Sequence, residues 1–594
     1  MNKKILFPFL LISALVIAAC SSNKSNGETE PIIPDNTEAT LIPSISVPDS
    51  IDISEPNNTG DFVLTTADGN FVQNGNIYTI NKAGTYAASG VLNGQILVNV
   101  GEDDEVELDL EGLSITYDKD SPIKCLSGDA FDIKVKEGTS NLVKDTRANK
   151  KVEDSTVGEG AINSKVDLKI KGSGTLVVDG NFNNGIHTTD DLKIQNVTLK
   201  STAYNNALKG NDSVTITSGT IYAISKSGQG IKTKNTDVSS KGNQRGTITI
   251  NGGTIQIDSV YDAIEAEYDV VINQTSDSVP TAITLKTGSN SLYKANYDKT
   301  TSAKGIKAEN NITIYKGTIV IAASDDAIHA NYGTALENGK TGLGNITISG
   351  GELSIASGDD AIHADNTLLI NGGKTIITGA TEGLEANHIK ISGGETYVFG
   401  TDDGVNASKK INETPTVEIS GGYLDVSVSN GDTDGIDSNG SYTQTGGVVI
   451  SRGSPGTNAS GMSTGLDCDN TATITGGTFI AFNGMEKQPT VSNGVCKAIT
   501  SNASGQGGRP GPGGGGNPRP GRAIESQFLT ASYFNAGTYV LSGQGLSITF
   551  LNNYQYATFI VYSSNISLNN EYTLAYNGTT VLSWTQTSNT TTIS

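Results

Sequence analysis

NITISGGELSIASGDDAIHADNTLLINGGKTIITGATEGLEA, residues 345–386, holds the pattern that decides the fold. Alternating apolar residues run into a Gly-Gly pair, alternate again, cross a short acidic turn and reach a four-residue element, AIHA at 361–364 or GLEA at 383–386. The element recurs as AINS (161–164), GIHT (185–188), ALKG (207–210), GIKT (230–233), AIEA (263–266), GIKA (305–308) and AIHA (327–330). It continues as GVNA (404–407), GIDS (435–438) and, more weakly, GLDC (465–468). Where no insert intervenes, copies lie 21 to 24 residues apart. The segment before it repeats too, as ITINGGTIQI (248–257), IKISGGETYV (389–398) and VEISGGYLDV (417–426). Alternation with β-branched residues reads as strand, and the paired glycines supply corners that other residues would adopt only under strain. Each coil of two or three short strands needs neighbours to bury its inward Ile, Val and Leu, so the repeat predicts an all-β chain: a single-stranded right-handed parallel β-helix of about a dozen coils. A helical solenoid is excluded, because no apolar stripe of period 3.6 lasts ten residues.

Working outward, the chain opens MNKKILFPFLLISALVIAAC (1–20), two lysines before an apolar run too short to span a bilayer comfortably. Residues 1–19 read as a signal peptide, and Ile17-Ala18-Ala19-Cys20 resembles the bacterial lipobox, where Cys20 is acylated and becomes the N-terminus. Acyl chains in pairs anchor a protein without spanning, so the expected location is extracytoplasmic, on an outer membrane or cell surface. Residues 20–58, rich in Ser, Pro, Thr and acids and free of periodicity, read as a disordered tether. The β-helix is assigned to 59–500, a Gly/Pro/Arg-rich loop to 501–525, and a Tyr-rich β cap to 526–594, a terminal sheet rather than an independent catalytic domain. Losing Lys3 and Lys4 with the signal takes the formal charge from -22 to -24, which argues against nucleic acid and against any membrane contact beyond the anchor. Cys468 and Cys496 are candidates to pair across neighbouring coils, with Cys125 free. Four scattered histidines and no CxxC give no support for zinc.

Stacking turns a repeated position into a column with a rung every ~4.8 Å. The residue before the repeat element reads Asp262, Lys304, Asp326, Asp360, Glu382, Asp403, Asp434, and the one after its apolar residue Glu265, Lys307, His329, His363, Glu385, Asn406, Asp437, Asp467. Asp325, Asp359, Asp365, Asp402 and Asp432 lie close by in sequence. Like charges at that spacing repel by roughly 1 kcal/mol in water and about 3–4 kcal/mol at an effective dielectric near 20. Clustered carboxylates with Asn and backbone carbonyls are natural ligands of Ca2+, the preferred counterion; the alternative is a solvated acidic turn repeat with some raised pKa values. His329 and His363 share a repeat position and are expected to stack, and the pairs Asn183-Asn184 and Asn205-Asn206 to form hydrogen-bonded ladders. Tyr261, Tyr293, Tyr297 and Tyr332 are candidates to stack on sugar faces.

With INKAGTYAASGVLNGQILVN (80–99), ELDLEGLSI (107–115), KEGTSNLVKD (136–145) and GDDAIHAD (358–365), the chain resembles the secreted bacterial β-helical carbohydrate-binding domain-containing proteins, relatives in shape of pectate lyases. The resemblance covers roughly residues 60 to 585 and implies calcium on the solenoid and attachment to an acidic plant-type polysaccharide such as polygalacturonate, or to cellulose. It proposes Asp325, Asp326, Asp359, Asp360, Asp365, Asp402 and Asp403 as calcium ligands, to which the columns add Glu382, Glu385, Asp432, Asp434 and Asp437; Lys304 and Lys307 interrupt the series. The rival reading is an enzyme. DTDGID (432–437) and GTDDGVN (400–406) resemble the acidic elements of polygalacturonases, yet they recur coil after coil, and Gly-His-Gly and Arg-Ile-Lys elements are missing. A lyase needs a base beside its calcium, and Arg452, Lys304 and Lys307 are the candidates. A purely structural adhesin is the third reading.

Overall fold

Inward-pointing aliphatic residues at a fixed place in every coil demand a wall of strands in register, and register is what forms. The computed structural model describes residues 45–149, 159–288, 302–455, 463–491, 496–501 and 534–592. The signal peptide, Cys20, Tyr293, Tyr297 and nearly all of the Gly/Pro loop lie outside them. Regular structure among the described residues is all strand, most of it in one large parallel array wound as a β-helix. Ile123 pairs with Ile162 and the ladder runs on through Ile186, Leu208, Ile231, Ile264, Ile306, Ile328, Ile362, Leu384, Val405 and Ile436, each coil over the last. Every one of these side chains is fully buried, and each is worth roughly 1.5–3 kcal/mol of transfer free energy. The corners use the paired glycines as expected. Gly351, Gly373, Gly394, Gly422, Gly447 and Gly477 have φ between 73° and 90°, and a Cβ on Gly373 would meet the backbone of Gly350 at 2.7 Å.

Both ends are closed by antiparallel pairing, which removes the open edges of a parallel stack. At the N-terminal end Val63–Thr66 pairs with Gly84–Asn93 and Phe71–Asn74 with Ile77–Ile80. At the other end Thr558–Ser563 runs antiparallel to Thr478–Phe482 and Cys496–Ser501, and a four-stranded antiparallel sheet covers the stack. Cap residues Phe534, Tyr539, Phe550, Phe559 and Trp584 share one apolar cluster with Tyr423, Ile450 and Phe482 of the solenoid. The cap therefore completes the solenoid core.

Residues 45–58, which the sequence assigns to the tether, lie as an extended strap across the coils. Ile53 packs with Leu142, Val177 and Tyr222. Lys200 Nζ donates to Ile53 O at 3.1 Å, Gln256 Nε2 donates to Asp49 O at 2.6 Å and Lys144 pairs with Glu55 at 3.0 Å. Two apolar residues and these polar contacts are enough to dock the segment, and neither leaves a periodic trace in the sequence.

Candidate functional site

The corner where the acidic turn enters the repeat element carries the two columns. A backbone ladder fixes the first: the amides of Gly230, Ala263, Gly305, Ala327, Ala361, Gly383 and Gly404 donate in turn to the carbonyls of Asp262, Lys304, Asp326, Asp360, Glu382, Asp403 and Asp434. Strand register fixes the second, which reads Asn163, His187, Lys209, Lys232, Glu265, Lys307, His329, His363, Glu385, Asn406, Asp437 along the stack. The corner therefore passes from neutral and basic residues, through a mixed stretch, to acids interrupted only by Asn406.

The mixed stretch supplies its own cations. Lys304 Nζ sits 2.9 Å from Asp325 and 2.8 Å from Asp326. Burial opposes its charge, but the two carboxylates outweigh that and raise its pKa. His329 Nδ1 lies 2.6 Å from Asp326 Oδ2, and His363 Nδ1 lies 2.9 Å from both Asp360 and Glu385. Burial works against a proton on His363, yet its bonds to Asp360, Asp365 and Glu385 hold it well above the usual imidazole value. Lys410 closes the group at 2.6 Å from Glu385. Asp326 and Glu385 are consequently held low despite burial. The imidazole rings of His329 and His363 stack at 4.3 Å and 15°, as expected from their shared position, but within a cage of carboxylates rather than on the open surface.

The stretch beyond it differs. Glu382 accepts from Asn406 Nδ2 at 2.7 Å, while Glu382 Oε2 and Asn406 Oδ1 are buried with no hydrogen-bond partner. The Glu382 carboxyl is pushed up to about 9 by burial and by Asp360 and Glu385. Burial and the acids Asp402, Asp432 and Asp467 push Asp403 to about 6. Asp434 rises to about 8 through burial and the charges of Asp403 and Asp467, although Thr464 donates to it. Asp437 rises to about 7 through burial and Asp403, Asp467 and Asp469. Asp402 and Asp432 are exposed at the rim. The donors here are all oxygen, two are orphaned, and no lysine, arginine or histidine forms a salt bridge with Glu382, Asp403, Asp434 or Asp437 among the described residues. All-oxygen chemistry of this kind suits a hard divalent cation such as Ca2+, which takes six to eight oxygens in general, but among the described residues these carboxylates do not converge as a group of three within 4.8 Å. Three carboxylate oxygens converge within 4.8 Å instead at Asp325, Asp326 and Asp359, where the Lys304 ammonium already lies between two of them.

The three candidate bases of the lyase reading are engaged elsewhere. Arg452 is fully buried beneath the cap, where it donates to Asn552 Oδ1 at 2.8 Å, Leu551 O at 2.8 Å, Val426 O at 3.0 Å and to Asp425. Lys307 is held by Glu309 at 3.0 Å and Glu265 at 3.4 Å, which outweigh burial and raise its pKa. Neither lysine is a neutral amine poised for a polymer. Asn206 Nδ2 donates to Asn184 Oδ1 at 2.9 Å, the start of the expected amide ladder. Tyr332, at 48% exposure, stands beside the mixed stretch, its amide donating to Asp365 Oδ2 at 2.8 Å. Tyr315, 51% exposed, was not singled out by the repeat. Cys125 and Cys468 are buried free thiols, and the side chain of Cys496 lies outside the described residues. No helix among the described residues is long and apolar enough to cross a membrane.

A family model described as carbohydrate-binding domain-containing protein matches residues 74–344 and 337–432. A curated relative of the same description from Acetivibrio thermocellus is 41% identical over 127 residues, 20% of this chain and 44% of that protein's length. The match thus spans less than half of the relative. A solved structure of the polysaccharide lyase-like protein from C. thermocellum, a gadolinium derivative, is 35% identical, with 42% of this chain and 91% of that chain covered and a TM-score of 0.35.

Proposed function

Because the chain belongs to the carbohydrate-binding domain-containing protein family, we propose that it is a lipid-anchored, extracytoplasmic carbohydrate-binding protein. In this reading it holds an acidic polysaccharide such as polygalacturonate through Ca2+ on one corner of the β-helix. The observation that carries the calcium step is the oxygen-only stretch at Glu382, Asp403, Asn406, Asp434 and Asp437, with two buried oxygens lacking a donor. A chain of formal charge -22 repels a uronate polymer, and a divalent ion bound by protein carboxylates with coordination to spare bridges the two anions. Calcium supplies that bridge when bound; the protein's part is to fix the carboxylates at one rung per coil. The exposed ring of Tyr332 adds an apolar face on which a sugar stacks. Cys20 supplies the anchor.

The test passes residues 45–594 over immobilised polygalacturonate with Ca2+ and with a chelator. Retention that the chelator abolishes, with no new reducing ends or unsaturated product, supports the reading. Release of product shifts it to the lyase or hydrolase alternative, and indifference to the polymer to the adhesin.

A further inference from the structure

Before its acids begin, the same corner carries cations, and one of them is left without an anion. The Gly185 and Ala207 amides donate to the carbonyls of Asn206 and Gln229, so the first column reads Asn206, Gln229 before it reaches Asp262. The second reads His187, Lys209, Lys232 before Glu265. Lys232 pairs with Glu265 at 2.7 Å and with Glu267 at 3.2 Å, and Lys304, Lys307 and Lys410 each hold a carboxylate too. The ammonium of half-buried Lys209 forms no hydrogen bond or salt bridge among the described residues. Nor does that of exposed Lys234, whose backbone amide donates to Asn211 O one rung back. Burial lowers the Lys209 pKa and the charges of Lys234 and Lys232 lower it further, while Glu159 and Glu267 pull the other way without making up the difference. His187 on the preceding rung brings no compensation, since burial pushes its pKa down to about 3 and leaves it neutral.

An ammonium drawn out of water without an acceptor is costly, and an anion supplied from outside removes that cost. The surroundings suit a sugar acid. The Gln229 side chain, half-buried and without a hydrogen bond among the described residues, offers a donor and an acceptor to neighbouring hydroxyls. Tyr204 and Tyr261, both half-buried, stand in the turns leading into Asn206 and Asp262 and bring aromatic rings to the same part of the corner. We propose that Lys209, supported by Lys234 and the Gln229 amide, binds one carboxylate of an acidic glycan directly, without a metal ion. This rests on the reading that an acidic polysaccharide is the ligand. Six rungs, roughly 29 Å, separate Lys209 from Glu385, so a polymer reaches both regions and a single uronate does not. One chain is then gripped by ammonium at one end of the corner and through Ca2+ at the other.

The mature chain is titrated calorimetrically with trigalacturonate at low ionic strength in chelator, which silences any calcium bridge. Saturable binding is expected. Lys209→Gln weakens it by about tenfold or more, Lys209→Arg retains most of it, and Lys193→Gln, which removes the same charge from an exposed position on strand Asp191–Gln195, leaves it unchanged. Because Lys209→Gln removes an unpaired cation, its melting temperature without ligand is no lower than that of the wild type, and the rise that trigalacturonate gives the wild type is lost. No binding in chelator, binding that Lys209→Gln leaves intact, or equally tight binding of inorganic sulfate overturns the proposal. Retention of the wild type on polygalacturonate with Ca2+ separates the two failures: if it persists, the direct subsite alone is lost, and if it is absent, the acidic-glycan reading falls with it.

Discussion

Two overlapping stretches of one corner, residues 304–385 and residues 382–467, are built from the same repeat and carry the same kind of acids, yet the first brings cations to its carboxylates and the second does not. Asp360 in the first, beside His363, is still pushed up to about 7 by burial and by the charges of Asp326 and Glu385. In the first, Asp325 and Asp326 meet Lys304, and Glu385 meets His363 and Lys410. In the second, Asp403, Asp434 and Asp437 accept from the Asp434 amide, Thr464 and Asn439 but meet no cation among the described residues, and are pushed to about 6, 8 and 7 by burial and by neighbouring acidic charge. A solenoid stacks whatever its repeat contains. Whether a column of acids needs an external ion depends on whether a neighbouring rung or loop brings a cation of its own. Of the two lysines that interrupt the acidic series, Lys304 meets Asp325 and Asp326 and Lys307 meets Glu265 and Glu309, while His363 and Lys410 meet Glu385.

The comparison is most severely tested at Lys304. Lys304→Met removes the ammonium that bridges Asp325 and Asp326, which are 5% and 3% exposed and retain amide donors and His329, so unfolding free energy falls by about 3–5 kcal/mol, read as a lower denaturation midpoint equally with Ca2+ and with chelator. A midpoint restored by calcium would show that the first stretch also takes the ion. Asp434→Asn acts in the other direction. It removes one member of a repelling set, so in chelator at pH 8 stability rises on the order of 1 kcal/mol, while the calcium-induced rise in melting temperature shrinks. A fall in both media would mean that Asp434 is already satisfied by Thr464.

The smallest effect is on pH dependence. Asp434 and Asp437 hold protons in the folded chain that an unfolded carboxyl has lost, so the native state binds more protons and stability falls as pH rises through about 7 to 8. His363, raised in the fold, contributes with the same sign, its stabilisation being lost as pH rises. Lowering pH from about 8 to 6.5 in chelator therefore raises the melting temperature, and saturating Ca2+ flattens the profile because it holds the acids ionised. A profile equally steep with and without the ion would remove the contrast between the stretches.

The fold was legible because its code is local and repeated: Ile328, Ile362 and Leu384 announce an inward position that each coil restates, and the ladder places all three in register. The acidic corner was legible for the same reason, as was the stacking of His329 on His363. What escaped lies outside the repeat. Lys410, in the loop after Ala407, reaches back to Glu385 without any periodic signal. Arg452 reads as an available base until Asn552 and Leu551, a hundred residues on, bury it under the cap. Ile51 and Ile53 dock the strap with too few residues to form a pattern. The division of the acids into neutralised and unneutralised sets was hidden too, since it depends on which side chains meet across rungs.

Calorimetric titration of the 45–594 chain with Ca2+, on the wild type, on Asp403→Asn/Asp437→Asn and on Asp359→Asn, addresses the central claim directly. Heat of binding in the wild type, lost in the double variant and kept in Asp359→Asn, is the predicted result. No heat in the wild type, or heat that vanishes with Asp359 and survives the loss of Asp403 and Asp437, would contradict it.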